Sequence, residues 1–74
     1  MEVVAKNRIT GRTAQAITAA VNKSGRNVLF TKEGRTVNAG SLLGILSLVI
    51  IPGDTITVRT DGDAEVIKEV LELL

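Results

Sequence analysis

The chain has no histidine and no cysteine among its 74 residues, and Phe30 is its one aromatic. Without histidine it lacks the usual general base near neutral pH, the commonest transition-metal ligand and the side chain that forms a phosphoramidate. Without cysteine, disulfides, thiolate metal sites and thiol nucleophiles are excluded, which fits a reducing compartment. The want of aromatics removes any stacking surface for bases. Nine basic against eight acidic residues, a net charge of +1, leave no electrostatic footprint for a phosphate backbone, so no direct nucleic-acid partner is expected. The longest apolar run, residues 42–51, is interrupted by Gly44 and Ser47 and falls well short of the ~20 residues a membrane-spanning helix needs. Glu2 follows Met1 directly, unlike a secretory signal. The expectation is a cytoplasmic, non-enzymatic protein with no metal, cofactor or membrane partner.

What is present is an aliphatic core in a small chain. A hydrophobic fraction of 45% sets disorder aside, and Val, Ile, Leu and Ala must supply nearly all of the packing. At this size one core gives a net stability of only ~3–5 kcal/mol, which points to a single domain over 1–74 that acts as a module rather than as multi-residue machinery.

Along the chain, residues 2–8 have a β-branched, partly alternating character and are expected to form a strand. Residues 13–23 place Ala14, Ile17, Ala20 and Val21 on one side and Gln15, Thr18, Asn22 and Lys23 on the other, the pattern of an amphipathic helix. Thr10 or Thr13 can cap its start and Ser24-Gly25 its end. Residues 26–32 and 35–39 read as strands joined by a Glu33-Gly34 hairpin turn. After Pro52-Gly53, residues 54–60 alternate Thr55, Thr57 and Arg59 with Ile56 and Val58 as a fourth strand. Asp63 caps a last helix whose apolar stripe is Val66, Ile67, Val70, Leu71 and Leu74. Glu65, Glu69 and Glu72 read as its solvated face, with no converging acid to make a catalytic or metal-binding pair.

The stretch from 38 to 49 carries most of the chain's individuality. Ser41 stands at the N-cap of a short helix in which Leu42, Leu43, Ile45, Leu46 and Leu48 recur at helical intervals. Leu42, Leu43, Ile45 and Leu46 together cover more than one face of so short a helix, so part of this surface is expected to meet solvent or a partner. The order βαββαβα, with a hairpin that denies a purely parallel sheet, fits an α+β open-faced sandwich, a four-stranded antiparallel sheet with three helices on one face, and element order alone is shared with other split βαβ domains of this size.

These residues resemble a known family. The segment Gly34-Arg35-Thr36-Val37-Asn38-Ala39-Gly40-Ser41-Leu42-Leu43-Gly44-Ile45-Leu46-Ser47-Leu48 is similar to the regulatory-serine region of HPr, the phosphocarrier of the bacterial sugar phosphotransferase system. Gly53-Asp54-Thr55-Ile56-Thr57-Val58, followed by Asp61-Gly62-Asp63-Ala64-Glu65, is similar to the family's fourth strand and entry to its last helix. The resemblance runs over nearly the whole chain and implies the HPr-like fold. It departs at the carrier motif, Gly-hydrophobe-His-Ala/Thr-Arg-Pro, where this chain reads Gly11-Arg12-Thr13-Ala14-Gln15-Ala16. Thr13 stands in the place of the phosphorylated histidine and Gln15 in that of the phosphate-binding arginine. A threonine phosphate is a stable ester and its hydroxyl has no adjacent base, so the histidine relay is lost. Arg12, Thr13 and Gln15 thus form a degenerate carrier site, or simply a helix start with a solvated charge.

The departure resembles the Crh-like branch of the family, which lacks the histidine and keeps the serine. Carried over by position, this implies Ser41 as a regulatory phosphorylation site and Leu42, Leu43, Ile45 and Leu46 as the partner-binding surface. The partners implied are HPr kinase/phosphorylase and a LacI-type catabolite control protein. Gly40 stands where a lysine often precedes the family's serine. The alternative is an unmodified HPr-fold binding or assembly module.

Overall fold

In the computed structural model, residues 1–74 are described throughout, apart from the side chain of Val66. The elements are β1 (Glu2–Val4), α1 (Gly11–Ser24), β2 (Val28–Lys32), β3 (Arg35–Asn38), α2 (Leu42–Ser47) and β4 (Thr55–Thr60), then a 3₁₀ turn (Ala64–Ile67) that runs into α3 (Lys68–Leu73). The strands form one antiparallel sheet in the order β1-β4-β2-β3. Phe30 pairs with Val58 and Val37, and Val28 with Thr60, so period-2 alternation puts Val28, Phe30, Ile56 and Val58 on the face the helices cover. Leu29 and Arg59 pair on the open face, opposite to Val28 and Phe30. The expected open four-stranded antiparallel sheet with three helices is the observed one.

The stripe of α1 is buried as its spacing requires: Ala14, Ile17, Ala20 and Val21 all enter the core. The helix begins two residues earlier than its periodicity indicates. Thr10 is the N-cap, and its hydroxyl oxygen accepts from the Thr13 N–H at 3.4 Å, which leaves Thr13 inside the helix rather than at its border. Gly25 closes it in the left-handed conformation, φ 69°.

Other boundaries differ for local reasons. β1 is three residues long rather than spanning 2–8. Past Val4 the chain leaves the β4 ladder: Ala5 N–H donates to the Asp54 carbonyl before β4 has begun, and Lys6 N–H donates to the Leu74 carbonyl. β2 begins at Val28 because the backbone emerging from Gly25 is first tied by Asn27 N–H to the Asp61 carboxylate at 3.3 Å. β3 ends at Asn38, where the chain turns toward α2, and β4 begins at Thr55. The last helix opens as a 3₁₀ turn because the Asp63 side chain accepts from Glu65 N–H at 3.2 Å, a short-span cap. Of its expected stripe, Ile67, Val70 and Leu74 are buried and Leu71 half-buried, while Val66 lies outside the described side chains.

Candidate functional site

Two places on this scaffold correspond to the residues singled out by sequence, and both are helix starts. At α1, Arg12 and Gln15 are exposed and Thr13 is half-buried, its hydroxyl 3.4 Å from that of Thr10. Among the described contacts the Thr13 hydroxyl meets only that of Thr10, and Thr13 N–H donates to the Thr10 cap. At α2, Ser41 is the N-cap: it is exposed, and its hydroxyl oxygen accepts from the Gly44 N–H at 3.2 Å. No acidic residue occupies the first turn of this helix.

The approach to Ser41 is shaped by two asparagines and two glycines. Asn38 Oδ1 accepts from Gly40 N–H at 2.8 Å and the Asn38 carbonyl accepts from Ser41 N–H at 3.0 Å, which folds the chain out of β3 and aims the serine. A Cβ at Gly40 would stand 3.1 Å from Asn38 Oδ1 and 3.2 Å from Asn22 Oδ1, so the glycine here lets the loop lie against α1. At Gly44 a Cβ would meet the Asn38 carbonyl at 3.2 Å and Val37 Cβ at 3.3 Å, so that glycine lets α2 sit directly on β3.

The four residues expected to make the contact surface divide. Leu43 is 79% exposed and Leu46 is also on the surface, whereas Leu42 is half-buried and Ile45 only 1% exposed. This corrects the expectation for Ile45: it lies on the side of α2 that faces the core and supports the surface from beneath. A further exposed apolar residue follows the helix. Val49 N–H still donates to the Leu46 carbonyl at 3.3 Å, and the Val49 side chain is 65% exposed.

A set of contacts not foreseen from sequence holds the far end of α2. Lys32 Nζ donates to the carbonyls of Leu48 at 3.1 Å and Val49 at 2.7 Å and pairs with Asp54 Oδ2 at 2.8 Å, which engages all three of its N–H bonds. Arg35 Nη1 donates to the Ser47 carbonyl at 2.9 Å. Two cations from the β2–β3 hairpin thus satisfy the carbonyls that a helix leaves open at its C-terminus, where positive charge is favoured. The hydrogen bond from Lys32, and next that from Ile51 N–H at 2.9 Å, hold the Asp54 carboxyl below its ordinary value. Val49 follows the helix with φ 51°, the left-handed position usually given to glycine or asparagine. For a β-branched residue that conformation costs about 1 kcal/mol or more.

The two helix starts are not adjacent. Gly40 approaches Asn22 and Val21 near the C-terminal end of α1, while Ile9 N–H, just ahead of α1, donates to the Ile50 carbonyl at 3.1 Å. Hence α2 runs back along α1, with Ser41 beside the end of α1 opposite to Thr13, about 13 Å away along the helix axis at ~1.5 Å per residue. Among the described residues no group of three or more His, Cys, Asp or Glu side chains could hold a metal ion, and no helix is long and apolar enough to cross a membrane. A shallow cleft lined by Asn27, Leu29, Arg59, Thr60 and Asp61 includes none of the residues above.

Comparison with known proteins bears directly on this geometry. All of residues 1–74 match the family described as "PTS HPr component phosphorylation site". The chain belongs to the HPr family. It is 35% identical over 74 residues to the HPr-like protein Crh of Halalkalibacterium halodurans, covering all of this chain and 86% of that one. The match to the Crh of Bacillus subtilis is 32% identical over 74 residues, covering all of this chain and 85% of the other. Among solved structures, the phosphocarrier protein HPr of Bacillus anthracis superposes with a TM-score of 0.86 at 31% identity, over all of this chain and 93% of that one. The protein is thus an HPr-like, phosphocarrier-related protein of the same fold, and its sequence has no histidine.

Proposed function

We propose that this protein is a single-domain, cytoplasmic, non-enzymatic regulator of the HPr family, which works by binding other proteins and is switched by phosphorylation of Ser41. The observation that carries this reading is the contrast at the two helix starts: a threonine inside the first turn of α1 where the phosphocarrier chemistry needs an imidazole, and an exposed N-cap serine at α2 with the exposed Leu43 two residues on. In the modification, Ser41 Oγ attacks the γ-phosphorus of ATP. A new P–O bond forms as the bond to the departing ADP breaks, and the hydroxyl proton passes to a base of the kinase. The product carries about −1.5 to −2 charge where Ser41 now accepts one N–H, at the positive end of α2. Phosphorylation therefore changes the charge of the surface around Leu43 and Leu46 and leaves the core untouched. HPr kinase/phosphorylase is the modifying enzyme this reading names, and a LacI-type catabolite control protein is the partner that would read the phosphoserine.

Incubation of the protein with ATP and an HPr kinase/phosphorylase, followed by mass spectrometry, tests this. One phosphate confined to Ser41, and absent from Ser41→Ala, is the expected result. No phosphate on the intact protein would favour an unmodified binding or assembly module instead.

A further inference from the structure

Two cations stand side by side at the end of the β2–β3 hairpin. Lys32 and Arg35 are cross-strand partners, and like charges in that position repel. The turn between them holds Glu33 at φ 51° and Gly34 at φ 80°, so a glutamate occupies a left-handed position that asparagine or glycine takes more easily. Val49, at φ 51° after α2, is a β-branched residue in the same disfavoured region. One carboxylate stands against these costs. Asp54 Oδ2 pairs with Lys32 Nζ at 2.8 Å, and the ammonium so placed donates to the carbonyls of Leu48 at 3.1 Å and Val49 at 2.7 Å. The Asp54 side chain is 20% exposed, which leaves it within reach of protons from solvent. Of the neighbouring charges, Arg35 Nη1 is engaged with the Ser47 carbonyl at 2.9 Å. Glu33 in the turn, and Lys6 and Arg8 in the segment bonded to residues 50–54, are exposed. Among the described residues no carboxylate other than Asp54 is paired with Lys32.

We propose that Lys32, Asp54 and Val49 form an acid-sensitive latch on the end of α2. When Asp54 takes a proton from solvent and loses its charge, the Lys32 ammonium leaves the Leu48 and Val49 carbonyls, Val49 relaxes to extended backbone and the last turn of α2 frays. The change is local, because the chain beyond Val49 has anchors of its own. Ile9 N–H donates to the Ile50 carbonyl at 3.1 Å, Ala5 N–H to the Asp54 carbonyl at 2.8 Å and Gly53 N–H to the Ala5 carbonyl at 2.9 Å, and Ile50 is in the core. The latch is thus a unit of low stability beside a sheet of higher stability. Its direction with pH follows from the bonds to Asp54 from Lys32 and Ile51, which hold the folded carboxyl below its ordinary value. The latch is closed above the ordinary carboxylate range and opens as pH falls through the lowered value.

Hydrogen exchange and NMR of the whole protein test this at the Leu48 and Val49 amides, which donate to the Ile45 and Leu46 carbonyls. Asp54→Asn removes the charge at neutral pH. Its expected effect is a fall of about tenfold in protection at Leu48 and Val49, with none at Ile17 or Val21 of α1. Val49→Asn accepts the left-handed backbone, and adding it to Asp54→Asn is expected to restore most of that protection. In the unaltered protein, the Val49 Cα and Cβ shifts are expected to move from left-handed toward extended values in step with titration of the Asp54 carboxyl. Unchanged protection at Leu48 and Val49 in Asp54→Asn would overturn the latch, and so would an equal loss at Ile17 and Val21, since the pair would then support the whole fold. Constant Val49 shifts through the Asp54 titration would overturn it as well. Where acid unfolds the whole chain, the neutral-pH comparison of Asp54→Asn with the double variant decides.

Discussion

Helices α1 and α2 each begin on a hydroxyl that accepts from an N–H three residues on, yet they are sustained by different means. α1 is 14 residues long, buries four residues of a regular stripe and ends on a left-handed glycine, so local pattern and packing suffice. α2 has six residues, too few to persist by itself in water, and is held by its surroundings: Ile45 in the core, Gly44 against β3, and Lys32 and Arg35 on its last carbonyls. The difference teaches how each helix is kept in place. α1 supplies scaffold, and its start is closed by Thr10, whose hydroxyl oxygen accepts from Thr13 N–H. α2 supplies a surface, and the contacts from neighbouring elements fix how that surface is shown.

The comparison is broken most severely by emptying the core side of α2. Ile45→Ala is expected to lose about 2–4 kcal/mol, comparable to Ile17→Ala on α1, and Leu43→Ala no more than about 0.5 kcal/mol. Urea midpoints at unchanged slope measure both. Near-equal losses at Leu43 and Ile45 would mean that α2 is not seated as described.

A smaller effect tests the far end of α2. Because the folded-state Asp54 carboxyl is held below its ordinary value by Lys32 and Ile51, its contribution is fully present above about pH 3.9. It is lost as pH falls through the depressed folded value, where the carboxylate takes up a proton. Asp54→Asn should therefore flatten part of the acid limb of the stability curve below about pH 4 and leave its shape near neutrality unchanged. Superimposable acid limbs would remove Asp54 from the account of what holds α2.

Much of this was legible in the sequence because it is local. The stripe of α1, the cap at Ser41, the Glu33-Gly34 turn and the alternation of β4 each follow from spacing alone, and together they gave the order of elements and the sheet. The loss of the carrier histidine needed no coordinates. What spacing could not give depends on which way a short helix faces and on partners distant in sequence. Four apolar residues in α2 look alike until the helix is seated, and only then does Ile45 go inward and Leu43 outward. Lys32 and Asp54 are 22 positions apart and read separately as the end of one strand and the start of another. The left-handed Val49 carries no sequence signal, since the glycine or asparagine expected at such a position is absent.

The central claim is that the HPr scaffold persists here without the chemistry of carriage. The most direct test is to offer the protein the phosphorylated form of enzyme I and follow the phosphoryl group by intact-mass measurement and by delivery to a sugar permease. The account predicts no phosphate gained and none delivered, at Thr13 or elsewhere. Transfer to this chain, or restored sugar phosphorylation in its presence, would contradict it.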